Sequence, residues 1–341
     1  MKLKKLLSIS SAIVIASSML VGCSSKTTEE NSTQSSNIKI GMVADIGGIN
    51  DESFNQSAWE GLQQAQKDFG IEIKVIESKQ SSEYLQNMES LLDQDVDMVI
   101  GVGYTMKEDI QKQAQNYPDK QFVLIDETYD TIPENVTPIL FRENEAAYLT
   151  GLIAGKMTKT NNVGFIGGIQ TPVVSRFEYG YKAGVKEANK KSDVNVQYAG
   201  TFSDAAKGKS IANQMYGNGS DIILSAAGGT GLGAIEAAKE QNKYAIGVDR
   251  DQSDLAPQNV LTSALKKVNV GVYDTVKEFI EGKLKGGVEK VYGLKENGVG
   301  IPETTKNLVP QDVIDYVNVM IEKIKNDEIK VPSNEEEYKS M

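Results

Sequence analysis

The chain has 341 residues, of which 36 are Lys or Arg, 47 are Asp or Glu and none is His, and its formal net charge is −11. Such an acidic surface is a poor partner for nucleic acid. The lack of histidine removes the commonest general base, the Ser-His-Asp and Cys-His nucleophile systems and the usual zinc ligands. Composition therefore favours a binding protein over an enzyme, and it predicts neither a metal site nor a cofactor.

The first 22 residues are typical of a bacterial lipoprotein signal peptide. Three lysines precede an apolar, Ser-rich stretch from Leu6 to Val21 that is too short to span a membrane. The stretch runs into Gly22-Cys23, and Cys23 is the only cysteine of the chain. We predict cleavage after residue 22 and attachment of lipid, palmitate included, to Cys23, which would hold the protein on the extracytoplasmic face of the cell membrane. The alternative is an unmodified buried cysteine behind an ordinary secretion signal.

Residues 23–37 carry the polar sequence SSKTTEENSTQSSN after the cysteine, which is typical of a flexible tether. The remaining 304 residues (341 − 37) are more than one hydrophobic core usually organises. We therefore predict two domains beyond the tether.

From Ile38 onward, short β-branched runs alternate with helical patterns, an order that predicts parallel sheets covered by helices on both faces. The predicted strands are Ile38–Ala44, Ile71–Ile76, Val96–Val102, Phe122–Ile125 and Val136–Phe141, then Val163–Ile166, Val194–Tyr198, Ile222–Ser225, Ala245–Val248 and Val260–Ala264. Residues 142–159 are predicted to form an amphipathic helix that enters the second lobe. We predict an α/β protein with two doubly wound parallel-sheet lobes around a hinged cleft, the first of residues 38–142 plus 268–287 and the second of residues 143–267 plus 288–341.

Polar and aromatic residues follow the first predicted strand, at the end of a parallel sheet where ligands bind. Asp45 ends this strand, two glycines allow a tight turn, and either Asp51 or Ser53 is suited to cap the helix that follows. Capping is the alternative to ligand binding for the polar residues here, Asn55 included. It does not explain Phe54, an aromatic residue at the mouth of a cleft.

Other strand ends carry residues of the same kinds, namely Asp126, Phe202 and Asp249. We expect Phe54 and Phe202 to face each other across the cleft, with both carboxylates nearby. Rings and carboxylates suit a ligand with a flat face and several hydroxyls, because a carboxylate accepts two hydroxyl hydrogen bonds and a ring stacks on a flat face. Phe177 is an alternative second ring, although its helical pattern is equally typical of core packing.

A glycine-rich segment provides a competing interpretation. Gly229, Gly231 and Ala234 fit a G-x-G-x-x-A dinucleotide fingerprint, with Asp249 at the end of the next strand. Such fingerprints usually occupy the first βα turn of a domain, and a protein outside the membrane lacks a supply of nicotinamide cofactor. The alternative is that these glycines let ligand or backbone approach closely.

Four strings together carry a family resemblance. They are Asp45 with Gly47–Asp51 and Ser53–Gln56, then Phe141–Leu149, Arg176–Glu178 and Gly247–Asp249. From about Ile38 to its end, the chain resembles the basic membrane protein family of substrate-binding lipoproteins, which includes purine nucleoside receptors. The resemblance implies the type I periplasmic-binding-protein fold and, as partner, an ATP-driven permease.

The resemblance also implies roles for individual residues. Phe54 and Phe202 would sandwich a purine, while Asp45 and Asn55 would meet the edge of the base. The ribose hydroxyls would be held by Asp126, Gly228, Asp249 and Lys266, the last chosen over Lys267. The predicted ligand-binding set also includes Ser53 and Phe177.

We interpret the chain as a monomeric, lipid-anchored receptor of an ABC importer that closes two lobes on a purine nucleoside, either inosine, guanosine or adenosine. No covalent chemistry is required. One alternative is a receptor of the same fold for a free sugar or polyol. The others are enzymes: an NAD-dependent dehydrogenase that uses the glycine-rich segment, or a nucleosidase that uses Asp126 or Asp249.

Overall fold

The computed structural model of the chain describes residues 37–341. Its strands are β1 (Lys39–Ala44), β2 (Glu72–Glu77), β3 (Met98–Val102), β4 (Gln121–Ile125), β5 (Val136–Phe141), β6 (Asn162–Gly167), β7 (Asp193–Tyr198), β8 (Ile222–Ala226), β9 (Tyr244–Asp249), β10 (Val260–Lys266), β11 (Lys290–Tyr292) and β12 (Val299–Gly300). Its helices are α1 (Phe54–Phe69), α2 (Tyr84–Leu92), α3 (Lys107–Asn116), α4 (Glu143–Met157), α5 (Pro172–Ala188), α6 (Ala205–Gly217), α7 (Gly229–Glu240), α8 (Val268–Ile280), α9 (Gln311–Lys325) and α10 (Glu335–Lys339).

The first lobe is built on a sheet with the strand order β11-β5-β4-β3-β1-β2, in which all neighbouring strands are parallel. Strand β1 lies inside this sheet. Its residues Ile40 and Met42 pack into one core cluster and Val43 into another, and all three are fully buried. A strand that is covered on both faces must be apolar on both faces, which explains its nearly continuous apolar sequence.

The second lobe repeats this arrangement, with the strand order β12-β10-β9-β8-β6-β7. Only the short pairing of β10 with β12 is antiparallel. Helix α4 belongs to this lobe and is buried on all sides from Glu143 to Gly155, so the prediction of an amphipathic helix is wrong. Its neighbour α5 approaches so closely that a Cβ on Gly180 would collide with the carbonyl of Asn144.

Three chain segments join the lobes: β5 to α4, β10 to α8, and β11 to β12. Helix α8 returns to the first lobe and packs on α1, where Gly61 leaves room for the backbone of Asn269. The sequence-based boundary placed everything from residue 288 in the second lobe. However, Lys290–Tyr292 pairs with β5 in the first sheet, and the chain rejoins the second sheet only at Val299.

The two-lobe α/β architecture predicted from sequence is confirmed. Within residues 37–341, no helix combines the length and the apolar character that crossing a membrane requires. The signal peptide and Cys23 lie outside the described residues, so lipid attachment stays a prediction.

Candidate functional site

The carboxyl ends of both sheets open onto one pocket between the lobes. It contains about 680 Å³ of empty space, part of it open to solvent. Nine of the ten residues predicted to bind ligand line it: Asp45, Phe54, Asn55, Asp126, Phe177, Phe202, Gly228, Asp249 and Lys266. Ser53 does not line the pocket, although it contacts Asp249.

Asp51 organises the turn that leads into helix α1. One of its carboxylate oxygens accepts hydrogen bonds from the backbone N–H groups of Ser53 (2.9 Å) and Gln56 (3.1 Å). The other accepts from the N–H (2.9 Å) and the side-chain amide (2.9 Å) of Asn55. Asp51 therefore satisfies the N–H groups of Asn55 and Gln56 in the first turn, and Ser53 makes no side-chain cap.

Asn55 is buried and directs its amide toward protein atoms rather than toward the open pocket. Its Nδ2 donates to Asp45 Oδ1 (2.7 Å) and to Asp51, and its Oδ1 accepts from the backbone N–H of Asp45 (3.0 Å). Both amide hydrogens are thus already used. In this conformation Asn55 positions Asp45, and the predicted contact of Asn55 with a ligand would need one of these bonds to be exchanged.

Asp45 presents a carboxylate to the first-lobe side of the pocket. Its Oδ1 also accepts from the N–H of Gly47 at 2.8 Å. Burial raises its pKa to about 6, although the hydrogen bonds from Gly47 and Asn55 oppose the rise. The protein bonds all involve Oδ1, which leaves Oδ2 as an acceptor for a ligand.

Lys266 is the cation at the centre of the pocket and is almost completely buried. Its ammonium group donates to Asp126 and lies 4.7 Å from the centroid of the Phe54 ring. Burial lowers the pKa of Lys266, but the carboxylates of Asp126, Glu143 and Asp249 outweigh this effect and raise its pKa above the ordinary value. Lys266 therefore carries a charge that helps to hold three carboxylates close together.

Asp126 and Asp249 occupy equivalent strand ends in the two lobes. Asp126 follows the last residue of β4, and Asp249 is the last residue of β9. Both have left-handed backbone conformations, with φ of 73° for Asp126 and 64° for Asp249. The Oδ1 atom of Asp126 is buried without a protein partner. Asp249 accepts a hydrogen bond from the Ser53 hydroxyl, and burial raises its pKa to about 6 despite the opposing charge of Lys266. Both residues can therefore accept hydrogen bonds from a ligand.

The aromatic residues of the pocket fall into two classes. Phe54 and Phe202 are partly exposed, and they line the pocket from the first and the second lobe. The ring of Phe202 packs so closely on Gly168 that a side chain there would collide with it. Phe177 is only 4% exposed and belongs to the main core cluster. The geometry therefore favours Phe202 over Phe177 as the second stacking ring.

Two glycines of the glycine-rich segment, Gly228 and Gly233, have structural roles, although neither is one of the fingerprint positions Gly229 and Gly231. A Cβ on Gly233 would collide with the carbonyl of Ala205, so this glycine allows α6 and α7 to touch. Gly228 has φ 53° and lies beside the backbone of Phe202. Among residues 37–341, no three His, Cys, Asp or Glu side chains are arranged so that they could hold a metal ion.

Sequence reasoning missed several residues of the site. Tyr104 follows β3 and lines the pocket, so extending the strand-end rule to that strand would have found it. Thr171 lines the opposite side and caps α5 by accepting from the N–H of Val174. The ion pair between Glu143 and Arg176, 3.1 Å long and next to the pocket charges, has no comparable sequence signal.

Comparison with known proteins identifies relatives over nearly the whole chain. A family model described as ABC transporter substrate-binding protein PnrA-like matches residues 38–335. Basic membrane protein A of Borreliella burgdorferi is 39% identical over 331 residues, covering 96% of both chains. The ABC transporter nucleoside-binding protein BmpA of Lactococcus lactis is 38% identical over 320 residues, covering 87% of this chain and 91% of the relative. A solute-binding protein of an ABC transporter from Aeropyrum pernix superposes with a TM-score of 0.81 at 27% identity, covering 89% of this chain and 96% of that structure.

Proposed function

The chain belongs to the family of PnrA-like substrate-binding proteins of ABC transporters, and we propose that it captures purine nucleosides between its lobes and delivers them to a permease. One observation carries this proposal. Two partly exposed phenylalanines, Phe54 and Phe202, line the pocket from opposite lobes. The same pocket is lined by three carboxylates that can accept hydrogen bonds, those of Asp45, Asp126 and Asp249. This combination matches a ligand with one flat aromatic part and one part rich in hydroxyls.

The purine would lie between the two phenylalanine rings. Stacking of a base on an aromatic side chain is worth roughly 1–3 kcal/mol. Asp45 would accept a hydrogen bond from the edge of the base through its Oδ2, while Asn55 keeps the Asp45 carboxylate in place. Inosine and guanosine suit this contact because their N1–H is a donor.

The ribose would lie near Lys266, where carboxylates from both lobes converge. Asp126 and Asp249 offer acceptors for the 2′- and 3′-hydroxyls, and such charge-assisted hydrogen bonds are the stronger kind. Because one carboxylate comes from each lobe, a ribose that engages both favours the closed arrangement.

The same charges disfavour phosphorylated ligands. The pocket is lined by four carboxylates, Asp45, Asp51, Asp126 and Asp249, and one cation, Lys266, an excess of three acidic groups (4 − 1). A 5′-phosphate would bring further negative charge into this buried region. We therefore expect nucleosides to bind and the corresponding nucleotides to be rejected.

Thermal unfolding with added ligands tests the proposal. A ligand that binds only the native state stabilises it by about 2.7 kcal/mol at a hundredfold excess over Kd. Inosine, guanosine and adenosine should raise the Tm, whereas inosine 5′-monophosphate, ribose and galactose should not. A Tm raised by the free sugars but unchanged by every nucleoside would favour the sugar receptor. Release of free hypoxanthine during incubation with inosine would favour a nucleosidase.

The proposal includes a location outside the cytoplasm. The leader and Cys23 would place the receptor on the outer side of the cell membrane, held by lipid, where a permease receives the ligand. Its support is the sequence pattern together with the family's membrane-protein names.

A further inference from the structure

Arg250 connects the two lobes at the edge of the pocket without lining it. It follows Asp249 at the end of β9 in the second lobe. Its Nη1 lies 2.7 Å from Glu52 Oε2, and its Nη2 lies 2.7 Å from Glu60 Oε1. Both glutamates belong to the first lobe, Glu52 in the turn before α1 and Glu60 within α1. Each end of the guanidinium group is thus paired with a carboxylate from the opposite lobe.

The first-lobe end of this contact is held in a fixed conformation. Glu52 has φ 52°, and its backbone N–H donates to Gln56 Oε1 at 3.2 Å. Its carbonyl accepts from Gln252 Nε2 of the second lobe at 2.8 Å. Gln252 is itself buried and also accepts from the N–H of Val248 at 3.0 Å. Two second-lobe residues, Arg250 and Gln252, therefore converge on one turn of the first lobe.

We infer that Glu52, Glu60, Arg250 and Gln252 form a cross-lobe clasp, and that Arg250 sets part of the ligand affinity by stabilising the closed cleft without touching the ligand. The clasp adjoins the site directly, because Asp249 is the residue before Arg250 and Ser53 is the residue after Glu52. Opening the clasp would therefore separate Asp249 from the Ser53 hydroxyl that it accepts from.

A clasp that stabilises the closed cleft has a specific effect on the apparent Kd of every ligand. When only the closed state binds tightly, the apparent Kd equals the intrinsic Kd divided by the closed fraction. Loss of the clasp lowers that fraction and weakens every ligand by the same factor. Loss of a residue that contacts one group of the ligand instead changes the ratio between ligands that differ in that group. This distinction holds for any ligand that closes the cleft, so the inference does not depend on purine nucleosides being the ligand.

The chain provides a matched control within one lobe. Lys209 on α6 pairs with Glu236 at 3.0 Å and Glu240 at 2.9 Å on α7. This is also one cation between two carboxylates, but all three residues lie in the second lobe. Lys209→Ala therefore removes a comparable pair of contacts without affecting lobe closure.

Small-angle X-ray scattering and calorimetric titration of wild type, Arg250→Ala, Arg250→Lys and Lys209→Ala test the clasp. We expect Arg250→Ala to increase the radius of gyration of the ligand-free protein. It should also weaken inosine and 2′,3′-dideoxyinosine by the same factor, roughly 3- to 30-fold for two partly exposed ion pairs. Arg250→Lys should recover part of the loss, and Lys209→Ala should match wild type in both measurements.

A double-mutant cycle completes the test. In a Glu52→Gln/Glu60→Gln background, Arg250→Ala should have little further effect because its partners are already neutral. An unchanged radius of gyration and affinity in Arg250→Ala, an equal loss in Lys209→Ala, or full additivity in the cycle would each overturn the clasp. If wild type binds no nucleoside, the proposed function fails, but the scattering comparison still decides whether the clasp exists.

Discussion

Asp249→Asn is expected to stabilise the protein at neutral pH while weakening its binding of ribonucleosides. Burial raises the pKa of Asp249 from 3.8 to about 6, so at pH 7 the folded protein holds an unfavourable charge that costs roughly 3 kcal/mol. Asparagine has nearly the same shape, tolerates the φ of 64° and can still accept from Ser53. We expect the free energy of unfolding to rise by about 1–3 kcal/mol at pH 7.

The pH dependence of this gain follows from its sign. The folded pKa lies above the unfolded one, so wild type loses stability as the pH rises from about 4 to about 6. The amide that replaces the carboxylate in the variant cannot ionise. Most of the advantage of Asp249→Asn should therefore be lost at pH 4, and it should disappear well below the unfolded pKa of 3.8, where the aspartate of wild type is protonated in both states.

Binding should respond in the opposite direction, because an amide offers one acceptor oxygen where a carboxylate offers two. Losing one hydrogen bond to a charged group costs about 1.5–3 kcal/mol, or roughly 10- to 150-fold in the Kd of inosine. The 2′,3′-dideoxy analogue lacks the hydroxyls concerned and should lose much less. The Kd of inosine should therefore move closer to the Kd of its dideoxy analogue.

Denaturant titration at pH 7 and pH 4, with calorimetric titration of both ligands, measures these effects. Asp327→Asn is the matched control, since Asp327 also has a left-handed φ, 60°, but its side chain is largely exposed. The control should change neither stability nor binding appreciably. The reasoning is refuted if Asp249→Asn is less stable than wild type at pH 7, or if both ligands weaken equally.

Three further substitutions separate the remaining roles. Phe54→Ala should weaken inosine by roughly 1–3 kcal/mol, about 5- to 150-fold in Kd, with only a small loss of stability, because Phe54 is partly exposed in the pocket. Phe177→Ala should instead cost about 3–5 kcal/mol of stability, because Phe177 lies in the core. If calorimetry showed that Phe54→Ala and Phe177→Ala weaken inosine equally, the assignment of Phe177 to the core rather than to the ligand would be contradicted. Cys23→Ala should move the protein from the membrane to the soluble fraction with unchanged Kd, and membrane retention would argue against lipid attachment.

The sequence predicted the strand ends of the pocket well, because a parallel sheet brings successive carboxyl ends to one edge. Asp45, Asp126 and Asp249 were found in this way, and each lines the pocket. Sequence alone does not distinguish Lys266 from the adjacent Lys267, because both are basic residues at the same strand end. The structure distinguishes them: Lys266 ends β10 and reaches the buried carboxylates, whereas Lys267 reaches Asn297 at the surface.

Other features depend on tertiary contacts that leave no local pattern. The sequence of residues 288–301 predicts strands but does not indicate which sheet they join, so the pairing of β11 with the first sheet was not predicted. The segment 142–159 was predicted to be an amphipathic helix, but the first turn of α4 is buried and its Glu143 pairs with Arg176. The side-chain amide of Asn55 was predicted to contact the edge of a base, whereas it donates both its hydrogen bonds to Asp45 and Asp51.

The raised pKa values of Asp45 and Asp249, each about 6, are expected to couple ligand binding to protons. Both are proposed to accept ligand hydrogen bonds as carboxylates, so protonation removes an acceptor and a bound ligand lowers each pKa. Inosine affinity should be constant above about pH 7 and fall below pH 6, by up to about tenfold per pH unit for each protonated group. Near pH 6, binding should release protons, which appears in calorimetry as an enthalpy that varies with the ionisation enthalpy of the buffer. A Kd that is constant from pH 5 to pH 8 would show that neither carboxylate accepts from the ligand.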